Sequence, residues 1–162
     1  KVAAETKKLY APPGFVKVTV PTQQMWRYTT DSPPSNWFAA AFDDSSWKQG
    51  KGSFGTKGTP GAQVETEWKT PDIWLRRSFE FNGNADAARL WIYHDEDAQV
   101  YINGVLAADL KGYVTSLVVT DISAKAKAAL KKGVNTIAIH CRQTQGGQNV
   151  DCGLVEFVKG KP

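Results

Sequence analysis

Asp95 and Asp97 are the residues in this chain whose spacing comes nearest to acid–base chemistry. If one extended strand carries both, their side chains share a face and their Cα atoms lie about 6.5–7 Å apart by strand rise. That separation falls in the range used for inverting glycoside hydrolysis. The geometry argues against such a use. Inversion needs acid and base on opposite sides of a sugar ring, and two carboxylates on one strand approach from the same side. Arg77 suggests a structural role for them instead. It shares the alternation of Leu75, Phe79 and Phe81 and so points toward the core, where a guanidinium is tolerated only when paired and hydrogen-bonded. The expectation is a salt bridge from Arg77 to Asp95 or Asp97 on a neighbouring strand.

Other reactive constellations are thinner. Asp43 and Asp44 can ligate calcium together with nearby carbonyl oxygens, but adjacent Asp and Ser residues before Trp47 more simply form a turn or a cap. His94 and His140 are the only histidines, and no further ligand at helical spacing makes either of them a zinc site. Ser45 and Ser46 lack the setting of a nucleophile elbow, and no glycine loop follows a strand and opens a helix to cradle phosphate. Cys141 and Cys152 flank a polar loop. They can bridge if their segments pair as neighbouring strands, yet Cys141 also continues the apolar alternation of Ile137 and Ile139, as a buried thiol would.

Recognition residues are better represented than reactive ones. Sugar binding sets aromatic faces against pyranose rings and surrounds them with amides. Trp68, Tyr113, Gln143, Gln145, Gln148 and Asn149 all fall in predicted loops, where sandwiches display ligands. Trp26, Trp47, Trp74 and Trp91 read as core or loop anchors. For Trp68 both readings stand.

The elements that must carry these residues are strands. Short runs of alternating polarity, separated by Gly, Asn and Asp, predict strands over 15–20, 74–81, 88–93, 98–102, 116–120, 135–141 and 150–158. Asn103-Gly104 joins two such runs and tolerates the positive φ angles of a tight type I′ hairpin. One helical segment stands apart: Ser123 caps it, 124–130 propagate it, lysines suit its C-terminal end and Gly133 closes it. Residues 1–70 are loop-rich, broken by Pro12-Pro13-Gly14, Asp31-Ser32-Pro33-Pro34 and the glycines of 50–61, whereas 71–158 are strand-rich. The early tryptophans, Trp26, Trp37, Trp47 and Trp68, argue that these loops are held down, since each buried ring covers roughly 150–250 Å².

The totals fit one domain over 1–162, since 162 residues bury a single core. A net charge of +4 invites a nucleic-acid reading, but the basic residues do not cluster with aromatics, and Lys125, Lys127, Lys131 and Lys132 read as a solvated helix face. No apolar run approaches the roughly 18 residues that span a membrane, and 1–6 lack an apolar signal core. Nucleic acid and membrane are therefore not the expected partners.

In order along the chain come Trp26-Arg27-Tyr28; Phe42-Asp43-Asp44-Ser45-Ser46-Trp47; Asp72-Ile73-Trp74-Leu75-Arg76-Arg77-Ser78-Phe79; Val100-Tyr101-Ile102-Asn103-Gly104; Gly112-Tyr113; and Asp121-Ile122-Ser123 before Gly133-Val134-Asn135-Thr136-Ile137. This order resembles the galactose-binding-like jelly-roll domains that accompany glycoside hydrolases, notably the N-terminal sugar-binding domain of family 2 and the β-galactosidase jelly-roll domains. The resemblance spans most of the chain. It implies an all-β antiparallel jelly-roll sandwich with one short helix, in a secreted or periplasmic glycan-degrading protein. It implies no active site, because the catalytic carboxylates of family 2 lie in a separate barrel, and no cofactor beyond the structural calcium common in such sandwiches. The expected function is a non-catalytic carbohydrate-binding or ancillary module, its partner a glycan; the alternative is a structural domain that packs against an adjacent glycoside hydrolase domain. The sequence departs from the pattern at His94-Asp95-Glu96-Asp97 and at the polar loop 143–151.

Overall fold

The structure, a computed structural model, describes residues 9–158. The N-terminal segment 1–6 judged for a signal core lies outside the described residues. Strands β1 (Phe15–Thr19), β2 (Met25–Thr29), β3 (Lys48–Lys51), β4 (Phe54–Gly55), β5 (Thr66–Glu67), β6 (Asp72–Phe81), β7 (Ala88–Asp95), β8 (Asp97–Ile102), β9 (Val105–Leu110), β10 (Val118–Thr120), β11 (Gly133–Arg142) and β12 (Asn149–Phe157) form two stacked six-stranded sheets. The front sheet runs β10-β7-β12-β4-β5, with β1 also on β12; the back sheet runs β3-β2-β6-β11-β8-β9. Every pairing is antiparallel except the two-residue contact of β4 with β5. The expected all-β sandwich is the fold observed.

Alternation explains which side chains meet. Leu75, Phe79 and Phe81 of β6 and Ile137, Ile139 and Cys141 of β11 face Leu90 and Ile92 of β7 and Val150, Cys152 and Leu154 of β12 across one apolar core. Each predicted strand is present, most a residue or two longer or shorter at one end. Asn103 (φ 50°) and Gly104 (φ 80°) both adopt the left-handed conformation that the type I′ turn between β8 and β9 demands. Helix α1 (Ala124–Ala129) starts as expected, with the Ala126 N–H donating to Ser123 Oγ at 3.1 Å. It ends earlier than expected. Leu130 is its C-cap, and Gly133 instead opens β11.

Residues before 70 contain β2 to β5, which the sequence pattern did not mark as strands. These runs are two to five residues long and interrupted by glycine, too short for alternation to register. The loop that includes Trp37, Phe38, Phe42 and Trp47 folds onto the outer face of the back sheet against Trp74, Tyr101 and Ala138, making a second apolar cluster. Phe38 stacks on Tyr101 with centroids 4.2 Å apart, and Trp74 stacks on His140 at 4.7 Å. Both faces of the back sheet are thus occupied by protein over this stretch.

Candidate functional site

Trp68 is a core residue. Its ring is 2% exposed in the main cluster, and its Nε1–H donates to Thr70 Oγ1 at 3.0 Å and the Asp72 carbonyl at 3.3 Å. It offers no face to a sugar, which corrects the expectation of a loop-displayed ring. Its preceding strand β5 lies flat on β4, and that pairing turns the indole inward. Gln148 is also buried as a brace: its Nε2 donates to the Thr70 carbonyl at 2.6 Å, and its backbone N–H to Thr59 Oγ1 at 3.0 Å. Gln143 is half-buried and donates from Nε2 to the Gly146 carbonyl at 3.0 Å. Three of the expected residues do border open space, the buried Asn149 and the exposed Tyr113 and Gln145.

Arg77 points inward as its alternation requires, yet neither Asp95 nor Asp97 is its partner. Asp95 ends β7 in the front sheet and Asp97 begins β8 in the back sheet, so the chain changes layers at Glu96 and the two carboxylates do not share a strand face. The Arg77 guanidinium lies 5.4 Å over the Trp26 ring, its buried Nη1 has no hydrogen-bond partner, and no carboxylate among the described residues lies within ion-pair distance of it. Asp97 Oδ1 instead accepts from the Gly112 N–H at 2.7 Å. The buried ion pair belongs to the adjacent residue: Arg76 Nε meets Asp44 Oδ2 at 2.9 Å. Asp43 Oδ1 accepts from the Ser45 N–H at 3.0 Å, as a turn former does. Asp44 is thus committed to a guanidinium and Asp43 to a turn. Among the described residues no group of three or more His, Cys, Asp or Glu is arranged to hold a metal.

His140 Nε2 lies 2.7 Å from Asp72 Oδ1, and His94 Nδ1 faces the Glu96 carbonyl at 2.8 Å. Cys141 and Cys152 are buried thiols on strands of opposite sheets, so the neighbouring-strand condition for a bridge is not met. Burial pushes both thiols far above the usual range.

Depressions of about 320 and 450 Å³ lie beside β2 and β3 of the back sheet, and two more open on the outer face of the front sheet. Trp91 and Tyr93 of β7 and Asn149 and Asp151 of β12 project there, with Asp151 opposite Tyr93 in register. Two loops close over Tyr93. Its hydroxyl donates to the Pro60 carbonyl, and Gly61 comes so near the 112–117 segment that a Cβ would lie 2.1 Å from the Thr115 carbonyl oxygen. Depressions flank this contact and share Tyr93. One, of about 360 Å³, reaches Tyr10, Ser53, Asn149 and Asp151; the other, of about 480 Å³, reaches Asp95, Glu96, Tyr113 and Gln145. Exposed tyrosines, Tyr10 and Tyr113, stand at the two ends.

Asp151 is the most perturbed carboxyl in the groove. It is 3% exposed, and burial pushes it up to about 7 against the opposing pull of the Thr22 and Cys152 N–H groups and the Arg77 charge. The Thr22 N–H donates to its Oδ1 at 3.0 Å. Asp95 is also raised, by burial and then by Glu96, with His94 opposing. Sequence reasoning passed over Tyr93 and Asp151. The available signal was the double apolar pattern of β7, where Trp91 and Tyr93 alternate with Leu90 and Ile92 and so mark a strand covered on both faces.

No family model matches the sequence, and no curated protein matches it. Solved structures do match. A family 2 glycosyl hydrolase member from Bacteroides cellulosilyticus superposes with a TM-score of 0.58 at 14% identity, over 85% of this chain and 20% of that one. The fold is that of one domain within family 2 glycoside hydrolases. A β-glucuronidase from an uncultured Clostridium gives 0.58 at 12% identity over 95% of this chain and 31% of that one. Ruminococcus gnavus β-glucuronidase, solved in complex with uronic isofagomine, gives 0.56 at 12% identity over 91% and 29%. The chain therefore spans under a third of the length of these structures. No helix among the described residues is long and apolar enough to cross a membrane.

Proposed function

We propose that this domain is a non-catalytic carbohydrate-binding module, accessory to a glycan-degrading enzyme of the extracytoplasmic space. The observation that carries the reading is the groove over β7 and β12, where exposed tyrosines at both ends flank a floor of buried carboxyl and amide groups. Aromatic faces beside a few convergent polar groups are what sugar recognition requires, and each depression is in the size range of small-ligand sites. The site lies on a sheet face rather than on the loop edge that Trp68 and the amides suggested. A non-catalytic role is supported by the carboxyl arrangement: Asp97 and Glu96 each accept a backbone N–H, from Gly112 and Gln145, and so are held rather than poised as an acid–base pair. Calorimetric screening against a glycan panel, repeated with Tyr113→Ala and Asn149→Ala, tests the reading. Binding that both substitutions weaken supports it, and absence of binding to every glycan removes it.

A second reading is a structural domain docked on a catalytic one. It draws on the matched structures, in which this fold is 20 to 31% of a longer chain. Under that reading the groove is covered by the neighbouring domain, and the isolated chain binds no glycan.

A further inference from the structure

We infer that the Tyr113 half of the groove takes an uncharged sugar ring through hydroxyl donors to Asp95 and turns away uronic acids. This rests on the carbohydrate-binding reading and specifies the class of glycan.

Asp95 is the observation that points to a ligand. It is 7% exposed and lines the depression, yet its carboxylate has no hydrogen-bond or ion-pair partner among the described residues. The open part of this carboxylate faces the depression, where hydroxyl donors supplied by a ligand can take the place of water. Glu96, beside it, accepts from Thr144 Oγ1–H and from the Gln145 N–H, which closes the 143–147 loop against the rim and leaves Asp95 as the open acceptor. The backbone of Gly147 packs close by, where a Cβ would sit 3.1 Å from Asp95 Oδ2. Tyr113, 67% exposed, stands at the same rim and can stack on the apolar face of a ring whose hydroxyls reach Asp95.

Charge sets the exclusion. Neither depression has Lys or Arg among its described lining residues, while Asp95, Glu96 and Asp151 all border them. A uronate would bring a further negative charge beside buried carboxylates with no cation to meet it, and like charges in a poorly solvated cleft repel strongly. A neutral ring brings only hydroxyls, each of which can donate to Asp95.

The test is titration calorimetry of the whole chain at pH 8 with neutral cello-, xylo-, manno- and galacto-oligosaccharides and with oligogalacturonate and alginate oligomers. At least one neutral series binds, uronate oligomers bind tenfold or more weakly, and both Asp95→Ala and Tyr113→Ala weaken the neutral ligand tenfold or more. Asp95→Asn, which keeps one acceptor and removes the charge, narrows the gap between neutral and uronate ligands. Thermal melts establish that each variant is folded, and Tyr113→Ala, at an exposed position, serves if the Asp95 variants are not. Uronates that bind as tightly as neutral glycans, or neutral binding indifferent to both sites, overturn the inference while leaving carbohydrate binding intact. Silence across the whole panel removes carbohydrate binding and the inference together.

Discussion

Arg76 Nε lies 2.9 Å from Asp44 Oδ2, joining the middle of β6 to a loop 32 residues earlier in the chain. The guanidinium is 3% exposed and spends its other donors on carbonyls of that loop, from Nη1 to Trp37 at 2.7 Å and Ala39 at 3.0 Å. It also lies 5.3 Å over the Phe42 ring. One side chain thereby fixes the segment that covers the outer face of the back sheet.

Removing its counter-charge leaves a buried guanidinium partly unpaired, so Asp44→Ala costs about 3–5 kcal/mol in urea unfolding. Arg76→Lys fails to restore stability, because an ammonium cannot make the same planar set of contacts. Near-ultraviolet dichroism reports release of Trp37 and Trp47 in both variants. Unchanged stability for Asp44→Ala would show that the carbonyl contacts alone hold the loop.

Trp68→Ala tests the core assignment of that ring. A large buried aromatic truncated to alanine costs about 3–5 kcal/mol, whereas a residue presented to ligand costs little. Urea midpoints should drop steeply for Trp68→Ala and hardly at all for Tyr113→Ala, and any glycan affinity should follow the reverse order.

Asp151 gives the fold a pH signature. Its folded pKa of about 7 lies above the model-peptide value of 3.8, so the folded state binds its proton more tightly than the unfolded state does. The stability this confers is complete below about pH 4, declines as pH rises and is gone above about pH 7, with a limiting slope of roughly 1.4 kcal/mol per pH unit. Asp151→Asn removes the titration. The variant should gain stability relative to the parent at pH 8 and lose that advantage at pH 4, read from urea unfolding at both values; a difference that does not vary with pH would place the Asp151 proton elsewhere.

The strands after 70 were legible because each is long enough for alternation to repeat, as in β6 and β11, which pair over ten residues. The type I′ turn and the Ser123 cap were legible because single residue types carry their backbone requirements. The site was less so. Arg77 was correctly placed inward, but its partner depended on where the chain changes sheets, and the run 94–97 reads the same whether or not it does. Trp68 and Tyr113 look alike in sequence, each in a polar loop, and only the pairing of β4 with β5 buries one of them. Asp151 sits in a strand whose inward residues were evident, and its outward neighbours became a groove only through loops brought there from residues 53–63 and 112–117.

Gly61 is where those two loops meet, and its conformation makes the contact testable. With φ at +74° it already disfavours a side chain, and a Cβ there would lie 2.1 Å from the Thr115 carbonyl oxygen, a backbone atom that cannot rotate away. Gly58, on the same loop, has φ at +92° but open space around its Cβ direction. Gly58→Ala therefore carries only the left-handed backbone penalty, about 1–2 kcal/mol. Gly61→Ala carries that penalty and must also part the loops over Tyr93, so its loss of stability should exceed that of Gly58→Ala by a clear margin. Parting the loops also exposes the Tyr93 hydroxyl, which now donates to the Pro60 carbonyl. Difference absorbance should accordingly show one additional solvent-exposed tyrosine in Gly61→Ala and none in Gly58→Ala; equal behaviour of the two variants would mean that the loops do not close on each other over the groove.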